Sequence, residues 1–158
     1  MSVNIGGDAS DPFYRYKRPA LTHTLTREGG SVKTIITNTT EVCKALHTQP
    51  VFVCKWMGCS LSTNSSINRY GLISLGGQLT VRQMEECLEA YITLFVLCDE
   101  CSLPETTLGV SKSGKICKAC AACGKSRSVK GDGRVFAGTC KTMITLLTQF
   151  KPSVDGTK

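Results

Sequence analysis

Length, composition and charge already exclude several classes of protein. The chain has 158 residues, of which 41% are hydrophobic and 20% charged, as in a globular fold and unlike a disordered chain. No apolar run approaches the roughly 18 residues that a membrane-spanning helix needs, and the first 30 residues do not resemble a secretory signal. We therefore expect a soluble cytoplasmic protein with no membrane partner, built as one ordinary domain or two small ones.

The net charge of +7 is unevenly distributed along the chain. Residues 1–110 contain nine Lys and Arg against ten Asp and Glu, a net charge of −1. Residues 111–158 contain ten Lys and Arg against two Asp, a net charge of +8. A basic segment of this kind is typical of a protein that binds a polyanion, most often nucleic acid, and a merely solvated surface is the alternative.

The first 20 residues are predicted to form a flexible N-terminal arm. Residues 1–12 are small and polar, and residues 13–19 (Phe-Tyr-Arg-Tyr-Lys-Arg-Pro) combine three aromatic with three cationic side chains. This pattern has neither strand alternation nor helical spacing. We expect an extended segment whose side chains contact a partner or the rest of the domain.

Residues 21–95 are predicted to form a small α/β domain. β-Branched residues favour a strand, and the pairs Asn38/Glu41 and Thr80/Gln83 have the spacing of helix capping boxes. Apolar residues at three- and four-residue steps from Val81 to Phe95 indicate a helix with a core-facing stripe. In order, the predicted elements are a strand over 32–38, a helix from Asn38 that ends at Pro50, strands over 51–54 and 69–75 separated by a polar loop at 62–68, and the helix that starts at Thr80.

Cysteine spacing predicts a zinc ribbon over residues 96–150. Cys98 and Cys101 form one C-x2-C pair, and Cys120 and Cys123 form another 18 residues later, a spacing typical of four-cysteine zinc sites. Two thiolates three positions apart can bind one tetrahedral zinc from a tight turn, and a second pair completes a closed, structural site. We therefore expect one structural Zn²⁺ and an α+β fold, with a short last helix over 134–150 and a tail at 151–158.

The second cysteine pair has an alternative register, because Cys117 and Cys120 are also spaced as C-x2-C. Gly124 directly follows Cys123 and can adopt the positive φ that lets backbone amides turn towards sulfur, which favours Cys120 and Cys123. Free buried thiols are the remaining alternative. No nucleotide cofactor is expected, because Gly109–Lys115 resembles a phosphate-binding loop but is followed by Ile116 instead of Ser or Thr.

Six groups of residues form a recognisable set: 13–17 with Pro19, 32–36 with Asn38, 44–46, Lys55 with 58–59 and Leu61, 95–98 with 100–101, and 104–106. Together these segments resemble the N-terminal domain of eukaryotic translation initiation factor five, and the similarity covers residues 1 to about 150. The β subunit of initiation factor two has the same α/β domain and zinc ribbon, so the resemblance implies the fold predicted above. The family continues into a helical C-terminal domain, and this chain is therefore expected to be a fragment.

The resemblance implies a GTPase-activating module that is not itself an enzyme. Such factors stimulate hydrolysis of GTP bound to initiation factor two, together with initiator tRNA, on the small ribosomal subunit during start-codon selection. The family's proposed arginine finger corresponds to Arg15, and two supporting lysines correspond to Lys33 and Lys55. Implied partners are initiation factor two with GTP and initiator tRNA, ribosomal RNA of the small subunit, and other initiation factors.

The alternative functions differ in what Arg15 does. In a non-catalytic RNA-binding or scaffolding module, Arg15 is an arginine packed between two tyrosines and makes no catalytic contribution. Lys33 and Lys55 are expected to contact RNA or tRNA phosphate and not GTP, and a solvated surface role is the alternative for both. A transcription-type zinc ribbon is a third possibility that the cysteine pairs alone support.

Overall fold

The computed structural model describes residues 2–8, 10–129, 131 and 133–149 and has the predicted α+β fold. The predicted tail at 151–158 lies outside the described residues. No helix in the described part is long and apolar enough to cross a membrane. In chain order the elements are β1 (Ser2–Asn4), β2 (Lys17–Pro19), β3 (His23–Glu28), β4 (Ser31–Ile36), α1 (Thr39–Leu46), α2 (Pro50–Ser60), β5 (Ser65–Ile67), β6 (Ile73–Gly76), α3 (Val81–Tyr91), a π-helical turn (Ile92–Val96), β7 (Thr106–Val110), β8 (Ile116–Cys120), β9 (Ser126–Ser128) and α4 (Gly133–Gln149).

The strands form three antiparallel sheets that follow one another along the chain. The first is the pair β1–β2, the second has the order β3-β4-β6-β5, and the third, the ribbon, has the order β7-β8-β9. Side chains of β4 alternate between the two faces of the second sheet, so that Thr34 and Ile36 are buried and Lys33 is exposed. Helix α2 packs against β5 and β6 of this sheet.

The predicted arm forms a hairpin in the structure. We call β1, β2 and the loop between them the N-terminal hairpin; Ser2 pairs with Pro19 and Asn4 with Lys17. Ile5, just after β1, is buried in the core. The hairpin thus contacts the rest of the molecule, and the flexibility of residues 1–20 stays a prediction.

The strand and the helix start predicted around Asn38 are confirmed, but the capping box is not. β4 ends at Ile36, and α1 begins at Thr39 with Asn38 as the N-cap residue. The Asn38 side chain makes no cap hydrogen bond. It donates to the Ala20 carbonyl (2.7 Å) and accepts from the Thr22 amide (3.1 Å), so it joins the β2–β3 connection to the start of α1.

The strand predicted over 51–54 is wrong, because these residues belong to α2. Pro50 does not end a helix but begins one, since its missing N–H costs nothing at the first helical position. Most of α2 is apolar and buried, so its sequence shows no alternation between a buried and an exposed face. Periodicity cannot distinguish a helix of this kind from a buried strand. Lys55 therefore lies on a helix and not at the end of a strand.

The polar loop predicted at 62–68 contains an edge strand, β5, and the strand predicted over 69–75 is shorter than expected. The Asn68 side-chain oxygen accepts from the amides of Tyr70 (2.9 Å) and Leu72 (3.0 Å). This turn occupies the first part of the predicted strand and delays β6 to Ile73.

The two later helices are confirmed. Thr80 and Gln83 form the predicted capping box of α3, and its apolar stripe lies in the core apart from Val81, which is 40% exposed. Helix α4 packs against α2 and also against β7 and β8. Phe136 of α4 stacks on Phe95 with ring centroids 5.7 Å apart. One hydrophobic core therefore joins the ribbon to the α/β domain, and the predicted boundary at 95–96 lies within it.

Candidate metal centre and the N-terminal hairpin

The structure brings together the four cysteines that the sequence analysis favoured. The sulfur atoms of Cys98, Cys101, Cys120 and Cys123 all lie within 4.8 Å of one another. Cys98 and Cys101 occupy the turn after the π-helical segment, and Cys120 and Cys123 occupy the turn that begins at the end of β8. The sulfurs of Cys98 and Cys123 are 3.6 Å apart, as are those of Cys101 and Cys120.

This cluster fits one zinc ion. Four sulfurs at about 2.3 Å from a tetrahedral zinc are separated by about 3.8 Å from one another. The two separations of 3.6 Å are close to that spacing. Thiolate sulfur is also the donor type that structural zinc sites use. These four residues could therefore hold a single Zn²⁺ in a closed shell.

Cys117 lies outside the cluster because of strand geometry. Cys117 and Cys120 both belong to β8, and residues three apart in a strand point to opposite faces. The Cys117 sulfur instead lies 3.7 Å from the Lys115 carbonyl oxygen and 4.0 Å from the Ser128 hydroxyl. Cys117 and Cys120 could bind the same metal ion only if a turn lay between them, and the chain is extended there.

The two cysteine turns have the same backbone design. The Ser102 amide donates to the Cys98 carbonyl (2.9 Å), and the Gly124 amide donates to the Cys120 carbonyl (3.0 Å). Both donors have positive φ, 62° for Ser102 and 78° for Gly124. The positive φ predicted at Gly124 is thus confirmed, while the equivalent role of Ser102 carried no sequence signal, since serine rarely adopts this conformation.

The local environment shifts the pKa values of Cys98 and Cys101 in opposite directions. Burial raises the pKa of Cys98, but the amides of Cys101 and Glu100 and the neighbouring thiols donate to its sulfur and bring that pKa below its ordinary value. The Leu103 amide lowers the pKa of Cys101, but burial and the neighbouring sulfurs outweigh it and raise that pKa. Four thiolates this close together repel one another, so all four can be deprotonated at once only around a bound metal ion.

A buried lysine lies beside the cluster. Lys118 is 4% exposed, and its ammonium group donates to the Leu97 carbonyl (2.6 Å) and to the Asp99 carboxylate (3.2 Å). Both acceptors flank Cys98 in the chain. Lys118 belongs to the basic segment of residues 111–158, but its burial makes it a link between β8 and the first cysteine turn.

The exposed cations of the ribbon lie at its two ends. Lys112 and Lys115 are in the β7–β8 turn, whereas Lys125 and Arg127 follow the second cysteine turn. Arg127 forms an ion pair with Glu100 of the first turn. Three exposed lysines of the ribbon therefore remain as candidates for contact with a polyanion.

Arg15 is exposed in the loop that precedes β2. Its guanidinium carbon lies 5.5 Å from the centroid of the Tyr16 ring, a cation–π arrangement. Across the described part of the chain, no carboxylate lies within ion-pair distance of Arg15. The cleft beside it has a volume of about 400 Å³ and is lined by Arg15, Tyr16, His47, Glu105, Thr106, Thr107 and Ala121.

Arg18 fixes the hairpin to α3, a role that sequence analysis missed. It is 1% exposed and donates to Glu85 (2.6 Å) and Glu89 (2.9 Å). Glu85 also accepts from the Leu21 amide at 2.8 Å. Burial raises the pKa of Glu85, but these hydrogen bonds and the charge of Arg18 bring it below its ordinary value. The partners are 67 and 71 positions apart, so no local pattern indicates the pairing.

The two predicted supporting lysines lie on different elements. Lys33 is exposed on β4 and lines a hydroxyl-rich cleft with Thr63, Ser65 and Ser74. Lys55 is half-buried on α2. Arg15 and Lys33 line separate clefts, so the structure does not bring them into one site.

Comparison with known proteins agrees with the resemblance noted from the sequence. The profile of a family described as a domain found in initiation factors 2B and 5 matches residues 7–126. The chain is 37% identical over 125 residues to eukaryotic translation initiation factor 5 of Mus musculus, covering 76% of this chain and 29% of that protein. The corresponding protein of Saccharomyces cerevisiae is 33% identical over 129 residues, covering 79% and 31%. The chain thus spans about 30% of the length of these relatives. Because the profile matches most of the chain, the protein belongs to the family that is defined by the domain found in initiation factors 2B and 5.

Proposed function

We propose that this domain is a GTPase-activating module of translation initiation. In this role it stimulates hydrolysis of GTP bound to initiation factor two, with initiator tRNA, on the small ribosomal subunit, and so contributes to start-codon selection in the cytoplasm. The observation that carries the proposal is an exposed arginine without an ion-pair partner in the described chain, Arg15, within the segment that matches the family. The domain is not itself an enzyme, because the GTP belongs to its partner.

Arg15 acts on charge in the transition state. Water attacks the γ-phosphorus and the bond to the β–γ bridging oxygen breaks, which leaves GDP and inorganic phosphate. Negative charge spreads over the phosphoryl oxygens during this step, and a planar guanidinium donates forked hydrogen bonds to them. Arg15 has no carboxylate to leave among the described residues, so its insertion breaks no ion pair there.

Lys33 and Lys55 support this activity from the folded domain. Lys33 lies in a polar cleft, and Lys55 is part of α2. A lysine in such a position is suited to contact the phosphate groups of initiator tRNA or ribosomal RNA. These contacts hold the domain in place while Arg15 reaches the nucleotide.

One structural zinc ion is proposed for the four-cysteine cluster. Cys98, Cys101, Cys120 and Cys123 would hold it, and with four thiolate ligands the ion would serve as a structural cross-link with no position left for a reactive water. The cysteine turns then keep the ribbon in shape as a surface for ribosomal RNA and other initiation factors.

A second candidate is a non-catalytic RNA-binding or scaffolding module of the preinitiation complex. The exposed lysines at the two ends of the ribbon favour it, because such lysines bind the phosphate groups of RNA whatever the base sequence. The two functions predict different effects of substitution. If the domain is a scaffold, each lysine removed should lower affinity gradually and Arg15 should have no special effect. If Arg15 is an arginine finger, its removal should lower the rate of GTP hydrolysis while binding stays intact.

The deciding experiment is single-turnover GTP hydrolysis by initiation factor two in ribosome-bound complexes, with binding measured in parallel. We expect Arg15→Ala to lower the stimulated rate by about 10³-fold or more, the range of arginine fingers supplied in trans, while affinity changes little.

Arg69→Ala is the matched control for this variant. Arg69 is also exposed and also lies over a neighbouring tyrosine, with its guanidinium carbon 4.9 Å from the Tyr70 ring centroid. It should keep the stimulated rate. Equal rates for wild type and Arg15→Ala would instead establish the scaffold.

A further inference from the structure

One side chain connects the N-terminal hairpin to the ribbon. The Tyr16 hydroxyl donates a hydrogen bond to the carboxylate of Glu105, 89 positions later in the chain. Tyr16 directly follows Arg15, and the Arg15 guanidinium lies over its ring. A displacement of Tyr16 therefore moves Arg15 with it.

Glu105 is itself held against the second cysteine turn, and its neighbour Thr106 is held by the π-helical turn that precedes the first. Its carbonyl oxygen accepts from the amide of Ala121, which lies between Cys120 and Cys123 in the second turn (2.9 Å). The next residue, Thr106, donates its hydroxyl to the Val96 carbonyl, two positions before Cys98 (2.6 Å). The position of Glu105 is thus coupled to the geometry of the metal cluster.

The hairpin side of the contact is equally constrained. The Ile5 amide donates to the Tyr16 carbonyl (2.8 Å), and the Tyr14 ring packs edge-on against the Tyr16 ring with centroids 5.9 Å apart. A Cβ at Gly7 would lie 2.6 Å from the Tyr14 ring, so the hairpin backbone closes tightly on these aromatics. The Tyr16 backbone is held by the hairpin, and its hydroxyl is held by the ribbon.

We propose that Tyr16 is a positioning residue that docks the hairpin on the ribbon through Glu105 and so ties the place of Arg15 to the metal centre. The inference rests on the proposed function, since it concerns delivery of the same arginine. It assigns the ribbon a second role: besides folding around a metal, it is the support from which Arg15 is presented. Tyr16 does not touch the nucleotide and acts only through its neighbour.

The test compares Tyr16→Phe, which keeps the ring but loses the donor, with Glu105→Gln, which keeps an acceptor oxygen. Amide hydrogen exchange of residues 13–18 reports docking, and single-turnover kinetics over a range of domain concentrations separates maximal rate from half-saturation. We expect Tyr16→Phe to reduce the hydrogen-exchange protection of residues 13–18. It should also lower the maximal rate about tenfold, because one hydrogen bond to a charged group contributes free energy on that scale. The domain concentration that gives half the maximal rate should not change. Glu105→Gln should retain most of both, and Glu105→Ala should behave like Tyr16→Phe.

Two further measurements separate this proposal from a merely structural role and from failure of the proposed function. Tyr16→Phe in an Arg15→Ala background should cause no additional loss of rate, and bound zinc per chain should stay at the wild-type value. Wild-type protection and rate in Tyr16→Phe would overturn the proposal, as would a rate loss accompanied by loss of zinc. If Arg15→Ala itself keeps full rate, the proposed function fails, and hydrogen exchange alone still decides whether Tyr16 docks the hairpin.

Discussion

The α/β domain and the ribbon depend on different interactions for their stability. In the α/β domain, buried aliphatic side chains surround an aromatic group in which Trp56, Tyr91 and Phe95 contact one another edge-on or tilted. In the ribbon, the fully buried positions of β8 are Ile116, Lys118 and Cys120, so only one of three is an ordinary core residue. Hydrophobic burial can stabilise the first region, whereas the second needs its cluster of sulfurs.

The largest expected effect is loss of the metal. Cys123→Ser removes one of four ligands, and structural zinc contributes about 10–16 kcal/mol of apparent binding free energy in small domains. We expect bound zinc per chain to fall from one to near zero and amide protection to disappear from β7 and β8. Protection in α3 should persist, because α3 packs on α2 and neither helix contains any of the four cysteine ligands.

Cys117→Ser is the matched control for that experiment. Its sulfur lies outside the cluster, so it should keep one zinc and the full protection of the ribbon. Loss of zinc in this variant together with retention in Cys123→Ser would show that the ligands are in the other register.

A smaller effect, on the other region, is expected from Trp56→Ala. Trp56 is 6% exposed, packs against two aromatic rings and donates its indole N–H to the Cys87 carbonyl (3.0 Å). Its truncation should cost about 3–5 kcal/mol of unfolding free energy, as large-to-small substitutions in cores do. Urea denaturation measures this, and bound zinc is the control because the variant should retain it. A zinc loss equal to that of Cys123→Ser would contradict the difference between the regions.

The smallest effect concerns acid and the connection between hairpin and α3. The pKa of Glu85 is lower when folded than its ordinary value of 4.5, so its contribution to stability is present above that pH and is lost as pH falls through the folded value. Hairpin amides should therefore lose protection below pH 4.5. Glu85→Gln should abolish this acid-induced loss of hairpin protection, because no carboxylate at position 85 then titrates beside Arg18. The release of zinc at low pH should be unchanged. An unaltered acid step in that variant would assign it to another group.

Patterns in the sequence predicted those features that depend on residues close together in the chain. The capping box at Thr80 and the preferred cysteine pairs follow from interactions within a few residues, and the structure has both. Helix α2 was missed because an apolar segment buried on all sides has no helical period. The pairing of Arg18 with Glu85 and the burial of Lys118 depend on contacts between distant segments, which spacing along one chain cannot reveal.

The packing of α4 on α2 has a consequence for synthesis of the protein. Helix α2 ends at Ser60 and α4 begins at Gly133, so the helix that covers α2 leaves the ribosome more than 70 residues after it. Domains begin to fold from their N-terminal side during translation, and contacts between distant segments form late. The α2 surface beneath α4 is therefore exposed in the nascent chain until the ribbon has also been made, and this interval is when the protein most needs protection from aggregation.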